Sequence, residues 1–381
     1  MSHVFFDHNS TTALRSEVLE VMLPFMVEQH GNATSRHSYG RTARAVVERA
    51  REQVADAVNA HPSQVVFTAS GTEANNFAIH GIASNLCHGQ ILISAVEHPC
   101  ISRPALAMQS RGWQALSIDV DLHCKLDMHH LHNLLAAPTN LVSVMLANNE
   151  TGVIQDLAQI ATLAHQHKAF VHTDAVQGLG KVEMNFADLN VNAMTVSSHK
   201  IGGPLGAGAL VLDKRLDIQP LLHGGGQEKG LRSGTENVAA IAGFGLACEL
   251  AVKNLAAFAA HTQQLRDLCE EGLSKLGAIL FGQQVKRIPN TSFFAFNNIE
   301  GETLVTALDR KGFAVASGSA CSSDNSEPSH VLLAMGIEPD VARGAIRVSF
   351  GLSNTIEQVQ QFLTVLEQEL ARLRNLTAIL A

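Results

Sequence analysis

The chain has 381 residues, 46% of them hydrophobic and 16% charged, which is enough apolar material for two or three packed units and too much for a disordered chain. Its 35 acidic and 27 basic side chains leave a formal net charge of -8 without a long basic run, so the electrostatic footprint of a nucleic-acid binder is missing and small molecules or proteins are the expected partners. The six cysteines (Cys87, Cys100, Cys124, Cys248, Cys269 and Cys321) are scattered without a CxxC pair, which argues against a disulfide framework or a structural zinc site and for free thiols in a reducing compartment.

In chain order, the first twelve residues show no basic stretch leading into a long apolar run, so a cytoplasmic protein without a secretory signal is expected. The stripe Val47, Ala50, Val54, Ala57 and Val58 predicts a helix over 44–59, which His61-Pro62 breaks before a β-run over 65–69. Six further strands are expected over 91–95, 115–119, 141–147, 170–174, 193–197 and 209–212. Their alternation with helical patterns points to the α/β class, with a mostly parallel sheet. Ligands gather at the carboxyl ends of such strands, and polar clusters follow these ends at 70–73, 97–98, 148–150, 174–177 and 197–200.

Between the third and fourth strands, Leu131, Leu134 and Leu135 form one helical face over 128–137. His129, His130 and His132 therefore read as a solvated face, as do His123, His165 and His167, and no metal is expected. A helical stretch over 238–277 leads into a second region of mixed α and β character. It ends in an amphipathic helix, with Ile356, Val359, Leu363, Leu366, Leu370 and Leu373 at steps of three and four, and with Asn354 and Glu357 as a candidate capping box. The expected division is a large domain over 15–250 and a smaller α+β domain over 251–381 joined by 1–14. Apolar runs are strand-length or, from Ala239, interrupted by Glu249, so no membrane span is expected.

Three places carry candidate chemistry. The strand end before Ser70-Gly71-Thr72-Glu73 opens a helix whose first N–H groups face an incoming anion, although an ordinary capped turn has the same pattern. His199-Lys200 follows the 193–197 strand and precedes a glycine-rich loop. A lysine amine there can hold an aldehyde cofactor covalently, and Asp174 at another strand end can keep a pyridine nitrogen protonated as an electron sink. Gln177 can donate to the ring oxygen. Taken singly, these could be a surface lysine and a capping aspartate; their joint placement carries the reading. Cys321 lies among Gly and Ser residues, a setting unlike that of a buried inert cysteine, whereas the other five cysteines read as structural.

The ordered blocks ANNETG (147–152), HTDAVQ (172–177), SSHK (197–200), HGGGQEKGLRSGT (223–235) and SGSACSS (317–323) resemble the cysteine desulfurases of the NifS/IscS class. DHNSTT (7–12), GTEANN (71–76) and AVEHP (95–99) extend the resemblance over nearly the whole chain. It implies a fold-type I pyridoxal-phosphate transferase whose large domain holds a mixed, mostly parallel seven-stranded sheet. It also implies a homodimer, conversion of L-cysteine to L-alanine, and a sulfur-acceptor protein as partner. By the same resemblance Lys200 holds pyridoxal 5′-phosphate, Asp174 meets its ring nitrogen, Gln177 its ring oxygen, and His98 stacks on the ring and moves protons. Gly71, Thr72, Ser197 and His199 surround the phosphate, and Thr235 reaches it from the neighbouring subunit. Asn149 and Arg347 hold the substrate carboxylate, with Asn149 also beside the cofactor, and Cys321 receives the sulfur.

Ala33, Ser198, Gly202 and Leu205 depart from the pattern and bear on loop shape. The chain stops at Ala381 without an extended tail for docking a scaffold protein, which leaves the acceptor open. A selenocysteine lyase, a small-substrate aminotransferase and an inactive scaffold for sulfur-handling proteins are the alternatives.

Overall fold

The computed structural model of the chain describes residues 3–318 and 327–380, so Cys321 lies outside the described residues. The strands are β1 (Val4–Phe5), β2 (Val65–Thr68), β3 (Gln90–Ser94), β4 (Gln114–Ile118), β5 (Thr139–Ser143), β6 (Phe170–Asp174), β7 (Ala193–Ser197), β8 (Gly208–Leu212), β9 (Ile279–Leu280), β10 (Thr291–Ala295), β11 (Phe313–Ala314), β12 (Ala316–Ser317) and β13 (Ile346–Ser349). The helices that frame them begin with α1 (Ser16–Val27), α2 (Ser38–Ala57), α3 (Gly71–Ala83), α4 (Pro99–Ala107), α5 (Met128–Leu134) and α6 (Leu157–Gln166). They continue with α7 (Val238–Lys253), α8 (Leu255–Lys275), α9 (Gly301–Arg310), α10 (His330–Ala334), α11 (Pro339–Arg343) and α12 (Ile356–Leu380).

A seven-stranded sheet runs in the order β2-β8-β7-β6-β5-β3-β4. It is parallel except for β8, which pairs antiparallel with both β2 and β7. The sheet strands are apolar on both faces because helices cover both, as a parallel sheet requires. The sequence expects the fourth strand to run to 147, but its two-sided pairing ends at Ser143, where β3 contributes its last partner, Ile93. The chain continues along β6 alone, through Val144 N–H to His172 O and Leu146 N–H to Asp174 O.

Helix α2 starts six residues before the predicted 44, capped by His37, whose ring accepts the Gly40 N–H. The predicted apolar stripe is buried against the sheet. The helical stretch over 238–277 is two helices bent by 70° at Asn254. Helix α7 packs against both α1 and α2, which explains why it is apolar almost all round. Among the described residues no single helix is long and apolar enough to cross a membrane; α7 and α8 pass only as a bent pair.

A second core gathers α8, α9, α12 and the four-stranded sheet β12-β13-β10-β9 around Phe294, Phe296, Ile346, Phe350 and Phe362. The N-terminal β1 pairs in parallel with β11 and buries Phe6 in this core. The predicted Asn354/Glu357 cap is displaced by one residue. Asn354 instead accepts the Gly351 N–H and donates to Phe5 O, while Thr355 and Gln358 make the reciprocal capping bonds of α12. Tying down the N-terminal segment took precedence over the local cap.

Candidate active site

The carboxyl ends of β2, β6 and β7 and the segment following β5 open into a cavity of about 390 Å³. At one end Ser70 caps α3 by accepting the Glu73 N–H at 3.1 Å, and Ser70, Gly71 and Thr72 line the wall. This helix start supplies N–H groups and the positive end of a helix dipole. Two glycines allow the close approach. A Cβ on Gly208 would stand 2.6 Å from the Ser70 carbonyl carbon, and one on Gly71 would stand 3.1 Å from the Val176 side chain. Ser197 Oγ is buried without a hydrogen-bond partner among the described residues, an open position for an acceptor-rich group such as phosphate. His199 also lines the cavity, with Nδ1 3.2 Å from Thr11 Oγ1; burial and the nearby Lys200 lower its pKa to about 4.

Asp174 is buried at the end of β6, where Oδ2 accepts from Asn75 Nδ2 at 2.7 Å and Oδ1 from the Val176 N–H at 3.0 Å. His98 caps α4, with Nδ1 accepting the Cys100 N–H at 3.2 Å, so in the neutral ring the proton sits on Nε2. Burial holds His98 below the usual imidazole range, with Asp174 opposing that shift. Next to it Cys100 Sγ lies 2.8 Å from His98 Nδ1 and 3.0 Å from Asn75 Nδ2. Burial and the Asp174 charge push this thiol well up, so it stays protonated. The preceding Glu97 is fully buried; one carboxyl oxygen accepts the Met145 N–H, and burial raises it well above the carboxylate range.

Lys200 sits in the short 3₁₀ turn after β7, and Nζ donates to the carbonyls of Asn9 and Ser10, at 2.6 Å each. Gln177 Nε2 donates to the same Asn9 carbonyl at 2.9 Å. A second, largely apolar cavity of about 250 Å³ backs onto Lys200. Arg347, central in β13, pairs with Asp7 at 2.6 Å and also donates to Ser10 Oγ and the Asn149 carbonyl. Its Nε has no hydrogen-bond partner among the described residues. The structural ion pair and an unsatisfied guanidinium N–H thus coexist at one residue. Asn149, Ser317 and Gly318 complete this wall, together with Glu150, which is fully buried, raised by that burial, and accepts from Ser329 Oγ.

The structure therefore brings Gly71, Thr72, His98, Asn149, Asp174, Gln177, Ser197, His199, Lys200 and Arg347 to one cavity. It does not bring Thr235 there; Thr235 is exposed, in a loop anchored by the Arg232–Glu73 pair and by the buried Arg51–Glu228 pair. Asn9, Asn75, Cys100 and Lys181 were missed as members of the site or its support, whereas Glu150 belongs to the polar cluster expected at 148–150. Asn9 and Asn75 stand inside blocks with a sequence signal, DHNSTT and GTEANN, whereas nothing local distinguishes Cys100 or Lys181 from residues of an ordinary helix start or turn.

Residues 4–362 match the aminotransferase class-V family. The chain belongs to that family. Within it, the chain is 39% identical to cysteine desulfurase IscS of Dictyoglomus turgidum over 98% of this chain and 96% of that one. It is 40% identical to cysteine desulfurase IscS 1 of Archaeoglobus fulgidus, over 98% of each chain. Among solved structures, a NifS-like protein superposes with a TM-score of 0.92 at 36% identity, over 97% of this chain and 99% of that one. This places the chain with the cysteine desulfurases of the class-V aminotransferases, fold-type I enzymes that use pyridoxal 5′-phosphate. The cavity suits that cofactor: its lining combines an unpaired hydroxyl and a helix N-terminus, which fit an anion, with a buried carboxylate and a lysine.

Proposed function

We propose that the chain is a cysteine desulfurase that converts L-cysteine to L-alanine and leaves the sulfur on Cys321 as a persulfide. The observation that carries this reading is the convergence of Lys200, Asp174, His98 and Arg347 on a cavity whose wall includes Ser317 and Gly318, at the edge of the segment that holds Cys321. Pyridoxal 5′-phosphate, when bound, supplies an electron sink for the pair released from the substrate Cα–H bond. Lys200 would hold it covalently and move the Cα proton, Asp174 would keep a proton on its ring nitrogen, and Gln177 would donate to its ring oxygen. His98 would cover the ring and donate from Nε2. The phosphate group belongs with Gly71, Thr72, Ser197 and His199.

Arg347 Nε and the Asn149 side chain would hold the substrate carboxylate. The Cys321 thiolate attacks the substrate sulfur, so that an S–S bond forms as the C–S bond breaks, the C–S electron pair passes to carbon, and a proton gained there completes alanine. Cys321 is three residues beyond Gly318, a reach of about 10 Å from the cavity wall. Cys100 lines the same cavity, but burial keeps it a thiol, which favours Cys321 as the acceptor. The persulfide would then pass to an acceptor protein for iron–sulfur cluster assembly or another sulfur-transfer pathway.

We also propose a cytoplasmic homodimer in which Thr235 completes the neighbouring phosphate site, and a division into a large domain over 15–250 and a small one over 251–381 with 1–14. The apolar core around Phe294 and Phe362 is distinct from the one on the seven-stranded sheet and supports that division, while a smaller cluster packs Val96, Met145 and Val153 against Phe281, Phe293 and Val331 and joins the two units; the five free cysteines of the described residues suit a reducing compartment. The test of the activity is to supply L-cysteine and a reductant. Equal amounts of alanine and sulfide are expected; a keto acid would indicate an aminotransferase, strict dependence on selenocysteine a lyase, and no turnover a scaffold.

A further inference from the structure

We propose that Lys181 is a positioning residue that fixes the amide of Gln177, so that the Gln177 N–H₂ group faces the Lys200 side of the cavity as a donor and its oxygen faces away. The proposal rests on the cofactor reading above, because the group that would receive that donor is the cofactor's ring oxygen.

Lys181 is 3% exposed. Its Nζ donates to Gln177 Oε1 at 2.6 Å and to Asn9 Oδ1 at 2.7 Å. None of the ion pairs among the described residues involves it. The charged groups acting on it are the cations Lys200 and Arg347, and burial together with those neighbours pushes its ammonium well below the ordinary lysine range. On the side of the second cavity the neutral, buried His8 ring is the other titratable neighbour; burial and the Lys181 charge lower its pKa to about 4. A lysine kept here without a carboxylate is held by the two amide oxygens.

That contact settles an ambiguity in side-chain chemistry. The two ends of a glutamine amide are nearly the same size, and partners alone decide which end points where. A protonated lysine offers three N–H groups and a neutral one two, so in either state Lys181 can satisfy both oxygens. Gln177 Oε1 is thereby committed to Lys181, and Nε2 must point to the Asn9 carbonyl, the oxygen that also accepts from Lys200. Without Lys181 the Asn9 carbonyl, which accepts from Gln177 Nε2, is the remaining contact among the described residues that opposes inversion of the amide, and Oε1 itself loses its donor. An inverted amide would set an acceptor against the cofactor's anionic oxygen.

The test is a double-mutant cycle on the protein carrying cofactor, read by the pH at which its visible absorption band changes. A donor on the ring oxygen favours the anionic form, so Gln177→Leu should move that transition to higher pH, by about one unit. Lys181→Met should move it in the same direction, and the double variant should titrate like Gln177→Leu alone. Lys181→Gln, which keeps one donor, replaces the methionine variant if circular dichroism shows that the latter does not fold; it should give a smaller shift that again vanishes beside Gln177→Leu. An unchanged transition in the Lys181 variants, or shifts that add in the double variant, would overturn the proposal while leaving the enzyme reading intact. A wild-type protein that takes up no cofactor would sink both.

Discussion

Ser197 Oγ, Arg347 Nε and the Gln177–Lys181 pair show how much of the candidate chemistry rests on single polar atoms. An unpaired buried hydroxyl destabilises a protein by about 1–3 kcal/mol, so an apolar residue would suit the cofactor-free fold better. Ser197→Ala should therefore leave the thermal midpoint of the cofactor-free protein unchanged or higher, yet weaken cofactor binding about tenfold through loss of one charge-assisted hydrogen bond. Equal cofactor affinity by fluorescence titration would show that Ser197 has no part in the phosphate site. The two cysteines of interest separate in the same way. C–S cleavage needs a thiolate, and a serine hydroxyl is too weakly acidic and nucleophilic to replace one. Cys321→Ser should bind cofactor and change its spectrum on adding cysteine without releasing alanine, while Cys100→Ser should still turn over. Sulfur found by mass spectrometry on Cys100 or Cys124 after one equivalent of cysteine would reverse that assignment.

At the scale of elements, the sheet carries a fully buried titratable group. His172 bridges three strands, with Nδ1 2.9 Å from Ser143 Oγ on β5 and Nε2 3.0 Å from Thr195 Oγ1 on β7. Burial lowers its pKa to about 3. An unfolded histidine takes up a proton near pH 6.5 that this one refuses when folded, so the folded state loses stability as pH falls from about 6.5 towards 3. At pH 5 the loss amounts to roughly 2 kcal/mol from His172. Urea unfolding of the cofactor-free protein at pH 7 and 5 should show a drop smaller by about that amount in His172→Gln. The same drop in both proteins would contradict a neutral buried ring. The strands themselves were readable from β-rich runs, and β6 and β7 fall on the predicted residues. The ends of β5 and the cap of α12 were not, because each depends on a partner strand or segment distant in sequence.

Across the whole molecule, Asn9 ties the N-terminal segment to both cores. Its side chain reaches Lys181, Asn290 and Thr291, its carbonyl receives Gln177 and Lys200, and its N–H donates to Ser349 Oγ. Of the residues expected around the phosphate, Thr235 stands apart from the cavity and is exposed in this chain. If a second copy supplies it, Thr235→Val should weaken cofactor binding in its own homodimer, and Lys200→Ala should abolish covalent attachment in its own. Mixed subunits should regain about a quarter of the wild-type tight sites, because each heterodimer has one complete site. No recovery after mixing, with subunit exchange verified by mass, would show that Thr235 does not act across a dimer.

The sequence alone determined the class of fold, the strand ends that gather polar residues, and the family, because apolar periodicity and short ordered blocks are local properties of the chain. It also pointed to Lys200 and Asp174, whose blocks follow β-runs directly. Only the tertiary structure decided that Asn9 spans both cores, that Cys100 lies beside His98, and that Lys181 faces Gln177 and Asn9 rather than solvent. The reason is physical: a buried polar group is selected by the partners that satisfy it, and those partners stand far away in the chain, as Ser349 does at 340 positions from Asn9.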